Sequence, residues 1–183
     1  MKITKFEIEG PILIEPKAFH DERGFFTERF RVDAFRELGI PNSFIQDNFS
    51  ISQPGVLRGL HYQYAPPQGK LVTCTSGRIF DVAVDIRSGS PTFGQWVSAE
   101  LSGEKPSWLW VPAGFAHGFC VIGNQPAGVL YKVDCGWAVG GEGGIRWDDQ
   151  DLKITWPESN LLLSGKDLEL PTFTQYAKAP RFQ

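Results

Sequence analysis

The sequence predicts an all-β fold, a double-sheet jelly roll with a few short helices. IFDVAVDIR alternates like a strand, with Phe80, Val82, Val84 and Ile86 on one face and Asp81, Ala83 and Asp85 on the other. Turn signals cut the chain at short intervals: Gln53-Pro54-Gly55, Ser76-Gly77, Ser88-Gly89-Ser90-Pro91, Ser102-Gly103 and Pro112-Ala113-Gly114. Composition agrees, since 20 glycines, 13 prolines and 13% aromatic residues favour strands and turns over long helices.

Taken in order, RVDAFRELG predicts an early helix. Val32, Phe35 and Leu38 share one face, and Gly39 followed by Pro41 supplies the stop. QWVSAELS repeats the strand alternation through Val97, Ala99 and Leu101. A second short helix is expected near Leu163–Leu168, with Ser164 as its N-cap. No repeat or linker interrupts the 183 residues, which suits one domain over 1–183.

A net charge of −3 gives no general attraction to nucleic acid or to an anionic membrane, so an anion site has to be a local cluster. Cys74, Cys120 and Cys135 form no CxxC pair and read as reduced thiols of a cytoplasmic protein. MKITKFEIEG has no apolar run resembling a signal peptide, and no stretch approaches the ~18 apolar residues of a membrane span.

PAGFAH, ending at His117, follows the apolar run WLWV and resembles the barrel pattern of cupins. Many cupins hold a metal with three histidines and a glutamate, but the upstream element here reads His61-Tyr62-Gln63, and His20 lies far off. Two imidazoles without a carboxylate at ligand spacing make a poor transition-metal site, so neither metal nor cofactor is expected.

VLRGLHYQYAPPQGKLV crowds Arg58, His61, Gln63 and Lys70 onto one hairpin. This is either a solvated sheet edge or the floor of a site that binds an anion and moves a proton. Arg58 and His61 would face opposite ways on an ideal strand, and only a bulge at Gly59 brings them together. A neutral histidine is a suitable base near pH 7, and a nearby cation stabilises the oxyanion it creates. Which carboxylate would orient that base is not readable from its neighbours. DERGFFTERF is either an exposed loop and edge strand or a place where Arg23 meets a phosphate beside an aromatic ring. Tyr131, at the end of an apolar strand, either packs locally or serves as a proton donor. The glycines that follow it form no P-loop, lacking GK[ST] and a helix pattern.

Together DERGFF, QDNFS, GVLRGLHYQ, QGKLV, GRIFDVAVDIR, SPTFGQW, WVPAGFAHGF, LYK, GIRWDD and LSGKDLELP resemble the dTDP-4-dehydrorhamnose 3,5-epimerase family, in the family's order from about residue 20 to 171. The resemblance implies a metal-free cupin-type double-stranded β-helix that forms a homodimer. It implies His61 as the base, Asp167 as its orienting carboxylate, Lys70 at the enolate oxygen and Tyr131 as the acid. It implies diphosphate contacts from Arg23 and Arg58, and further ligand contacts from Glu28, Gln46, Asn48, His117, Glu142 and Lys166. The implied substrate is a dTDP-4-keto-6-deoxyhexose, on the route to dTDP-L-rhamnose.

Two departures stand out. After LYK the family continues with a polar pair and two tyrosines, one packed near the thymine; here Gly136 stands at that tyrosine's position, so either Trp137 beside it supplies the ring or nucleotide recognition differs. Phe49 stands where a histidine is common. The alternative reading is therefore a mono-epimerase inverting C3 or C5 alone in another deoxysugar pathway. A non-catalytic sugar-nucleotide sensor would need the cations but no acid–base set, and a metal-dependent cupin dioxygenase would need the missing ligands.

Overall fold

The computed structural model describes residues 1–41 and 43–183. It is built almost wholly from antiparallel strands. A six-stranded sheet runs in the order β1 (Lys2–Lys5), β2 (Ile12–Glu15), β10 (Trp108–Val111), β7 (Lys70–Ser76), β12 (Ala127–Val133), β5 (Gln46–Ser52). A five-stranded sheet faces it, ordered β13 (Glu142–Gly144), β6 (Leu57–Gln63), β11 (Phe115–Val121), β8 (Arg78–Asp85), β9 (Trp96–Ser102). A separate hairpin, β3 (Ala18–Asp21) with β4 (Gly24–Thr27), projects as an arm. The expected turns fall between strands as predicted.

Three apolar layers hold this arrangement. Between the sheets, Val72, Cys74, Leu109, Val111 and Val129 meet Ile79, Val97, Leu101, Phe119 and Val121. The outer face of the six-stranded sheet packs Ile14, Leu71, Trp108 and Trp110 under Phe35 of α1 (Val32–Arg36) and Ile40. The outer face of the five-stranded sheet packs Leu60, Val82, Val84 and Ala116 under the C-terminal segment, through Leu152 and Tyr176 of α3 (Phe173–Ala177). Covering both faces explains why WLWV and FAHGFCV are buried throughout instead of alternating. It also corrects the natural reading of IFDVAVDIR. Its apolar face turns outward to the C-terminal layer, while Asp81 and Asp85, fully buried, belong to the barrel side.

The early helix is shorter than RVDAFRELG suggests, and the later one, α2 (Gly165–Leu168), starts from the expected Ser164 N-cap. Helix α3 was not anticipated, although its signal is in the sequence: Thr172 and Gln175 form a capping box.

One local feature aims the site. β6 carries an extra residue against β11, since His61 pairs with His117 while Arg58 pairs with Phe119. Gly59 absorbs the bulge at φ +130°, and a Cβ there would lie 2.6 Å from Gly118 Cα and 2.8 Å from the His117 carbonyl oxygen. Both the backbone angle and the close approach demand glycine. Gly59→Ala is therefore expected to cost about 1–3 kcal/mol or more. The check is a lower Tm on thermal unfolding.

Candidate active site

The inward alternation that fills one end of the barrel with Val72, Cys74, Ala127 and Val129 continues, on the same strands, to polar residues at the other end. There Lys70 of β7 and Tyr131 of β12 meet His61 of β6 and His117 of β11. They line a cavity of about 1000 Å³ together with Asn48, Arg58, Glu142, Lys166 and Asp167. That volume reaches the upper end of small-molecule sites, about 300–1,000 Å³. The bulge does what Gly59 suggested: Arg58 and His61 both face this cavity.

His61 Nε2 lies 2.6 Å from Asp167 Oδ1, across 106 residues of chain. The α2 cap fixes the carboxylate, because Asp167 N donates to Ser164 Oγ at 3.1 Å. Burial pushes the Asp167 carboxyl up, but hydrogen bonds from His61, Ser164 and the Gly59 backbone outweigh it and hold it below its ordinary value. Asp167 is thus an ionised acceptor, which assigns the His61 proton to Nε2 and leaves Nδ1 for the cavity. A matching contact joins His117 Nε2 to Asp81 Oδ1 at 2.8 Å.

Lys70 Nζ donates to the His61 carbonyl at 3.3 Å. The side chain is only partly covered by surface area, yet its ammonium sits deep among protein atoms. Burial pulls it down to about 8, against the opposing pull of Glu142 and Asp81. Burial raises the Tyr131 phenol and Glu142 adds to the effect, while Arg58 opposes it. That phenol therefore holds its proton at neutral pH.

Three predicted residues stand outside the cavity lining. Arg23 sits at the arm's turn, 85% exposed and paired with Asp21. Glu28 is also exposed and lies 3.6 Å from Arg31. Gln46 bonds Asn48 Oδ1 and the Trp137 backbone N–H. Gln63, counted with the cations in the sequence, is instead a clamp, bonding Pro66 O, Gly136 O and Ala138 N. It fixes the loop that carries Trp137, whose ring is largely exposed. Asp81 was missed as a site residue. Its position on the less apolar face of β8 was legible, but its histidine partner was not.

These observations match known proteins closely. The family model for dTDP-4-dehydrorhamnose 3,5-epimerase matches residues 5–175. A protein of that name from Pseudomonas aeruginosa is 53% identical, covering 94% of this chain and 96% of its own length. One from Shigella flexneri is 52% identical, covering 92% and 93%. The crystal structure of a dTDP-6-deoxy-D-glucose-3,5-epimerase from Legionella pneumophila, in complex with dTDP-4-keto-L-rhamnose, superposes with a TM-score of 0.90 at 48% identity, covering 94% of this chain and 93% of that one. The fold, the family model and these relatives agree, and the chain belongs to the dTDP-4-dehydrorhamnose 3,5-epimerase family.

Proposed function

We propose that this protein is an isomerase that inverts C3 and C5 of dTDP-4-dehydro-6-deoxy-D-glucose, giving dTDP-4-dehydro-L-rhamnose. The observation that carries this reading is the His61–Asp167 pair sharing one cavity with Lys70 and Tyr131. The C4 ketone makes the hydrogens on C3 and C5 acidic. His61 Nδ1 removes one, with Asp167 holding the ring and stabilising the imidazolium. The electrons move to the ketone oxygen, where the Lys70 ammonium stabilises the enolate. Tyr131 delivers a proton from the opposite face, inverting the carbon. Proton exchange with solvent then returns His61 to the neutral ring and Tyr131 to the phenol, and the cycle repeats at the other carbon. Arg58 and Lys166 hold the diphosphate end, and Trp137 offers a ring for the base.

The protein acts as a homodimer in the cytoplasm, with no nucleic-acid or membrane partner. No helix among the described residues is long and apolar enough to cross a membrane. A dimer would account for two of the residues outside the cavity, Arg23 and Glu28. The arm exposes Phe19 and Phe26, and the outer face of β5 exposes Phe49 and Ile51, apolar surface that a second copy would bury. Such an arm would carry Arg23 and Glu28 to the partner's cavity.

Three outcomes follow. His61→Ala and Tyr131→Phe should each lower kcat/KM by about 10²–10⁴-fold; unchanged rates would end the assignment. Because Lys70 acts as an ammonium, activity should fall as pH rises through about 8, its value in the folded protein, and a pH–rate profile checks this. Inactive Arg23→Ala and His61→Ala chains, unfolded and refolded together at equal amounts, should regain about a quarter of wild-type activity, since half the dimers become mixed and each holds one intact site. No recovery would place Arg23 outside the partner's site.

A further inference from the structure

The last residues of the chain lie beyond the stretch 5–175 that the family model matches, yet Arg181 lines the active cavity. Its backbone is strapped to the barrel. Arg181 N donates to the Tyr176 hydroxyl at 3.1 Å, and that hydroxyl donates to the Ile86 carbonyl at 2.7 Å. One residue on, the Phe182 carbonyl accepts from both the backbone N–H and the hydroxyl of Ser88. The Phe182 ring meets Tyr62 edge-on. With the chain held on both sides, the Arg181 guanidinium lies over the Tyr64 ring, 4.6 Å from its centroid. Tyr64 is itself fixed, its hydroxyl donating to the Gly140 carbonyl at 3.1 Å and its backbone N–H to that of Gly141 at 2.8 Å.

Stacking occupies only the face of a guanidinium and leaves its N–H groups, which lie in the plane, available. Among the described residues none of those groups on Arg181 bonds a protein atom, and no carboxylate pairs with it. The other cations that line the cavity, Arg58, Lys70 and Lys166, are likewise without an ion pair, whereas Arg31, Arg78, Arg87 and Arg146 each hold an acid elsewhere. Against these cations the lining offers two carboxylates, Glu142 and Asp167, and His61 takes the second. In a chain of net charge −3, the cavity wall is thus locally cationic.

Resting on the function proposed above, we infer that Arg181 is a further substrate-binding residue, whose guanidinium receives the diphosphate of the nucleotide. The diphosphate is the only anionic part of that substrate, and the planar fork of an arginine matches phosphate oxygens two at a time. Lys70 is committed to the enolate oxygen, which leaves Arg58, Lys166 and Arg181 for the phosphates. The Tyr64 stack orders the long side chain before the ligand arrives, which lowers the entropy cost of binding.

Arg181→Ala tests this. Its KM for the keto-sugar nucleotide and its Kd for dTDP should both rise about 10-fold, the low end for a hydrogen-bonded charge because the side chain is exposed. The maximal rate at saturation should hold, which also reports a folded variant. Thymidine, which lacks the phosphates, should bind as it does to the wild type when titrated by NMR. Arg181→Lys keeps the charge but loses the fork, and should recover part of the loss. An unchanged dTDP affinity would overturn the inference. So would equal losses for dTDP and thymidine, which would make Arg181 a support for Tyr64 and the loop it holds, or a lower kcat at unchanged KM. Wild-type turnover of the keto-sugar nucleotide is the separate check on the proposed function: dTDP bound without turnover would end that function and leave the Arg181 contact standing.

Discussion

The hydrogen bond between His61 and Asp167 is the constraint on which the rest of the site depends. It joins a barrel strand to a segment that lies outside the barrel, and both ends need preparation. On the barrel side, the Gly59 bulge turns His61 inward with Arg58. On the other, Leu57 N donates to Leu162 O and Leu162 N to Gly55 O, which ties the approach to α2 against β6. Ser164 then caps the helix and fixes Asp167. The C-terminal segment that seals the outer face of the five-stranded sheet through Leu152 and Tyr176 thus also supplies the carboxylate. Burying Asp167 without those hydrogen bonds would favour its neutral form, and the ring would lose its orientation.

The barrel is asymmetric along its length for the same reason. One strand alternation fills one end with aliphatic side chains and lines the other with Lys70, His117 and Tyr131. Enclosing an ammonium costs stability, and the downward pull on Lys70 to about 8 reflects that cost. The same enclosure makes its field strong at a developing enolate, where water would otherwise screen it. A second histidine–aspartate contact, His117 with Asp81, lies beside the first, since His117 and His61 are register partners on neighbouring strands.

Much of this was legible from local pattern. Alternation and turn signals gave the strands, Ser164 announced its cap, and the spacing of Arg58, Gly59 and His61 implied the bulge. Contacts across long stretches of sequence were not legible from local pattern. Asp167 could be joined to His61 only through resemblance, because 106 residues separate them. The Asp81–His117 pair stayed hidden because a polar residue on an alternating strand reads as solvent-facing until the second covering layer is seen. Helix α3 left a capping-box signal, Thr172 with Gln175, too short to stand without its packing. Arg23 and Glu28 show a further limit, since the conformation of one chain leaves them on an exposed arm.

The most direct measurement is NMR of dTDP-4-keto-6-deoxyglucose incubated with the protein in deuterium oxide, with the product trapped by a downstream reductase. One base and one acid working on both carbons predict deuterium at C3 and at C5, in a sugar of L-configuration. Label at a single carbon, or at neither, would contradict the account.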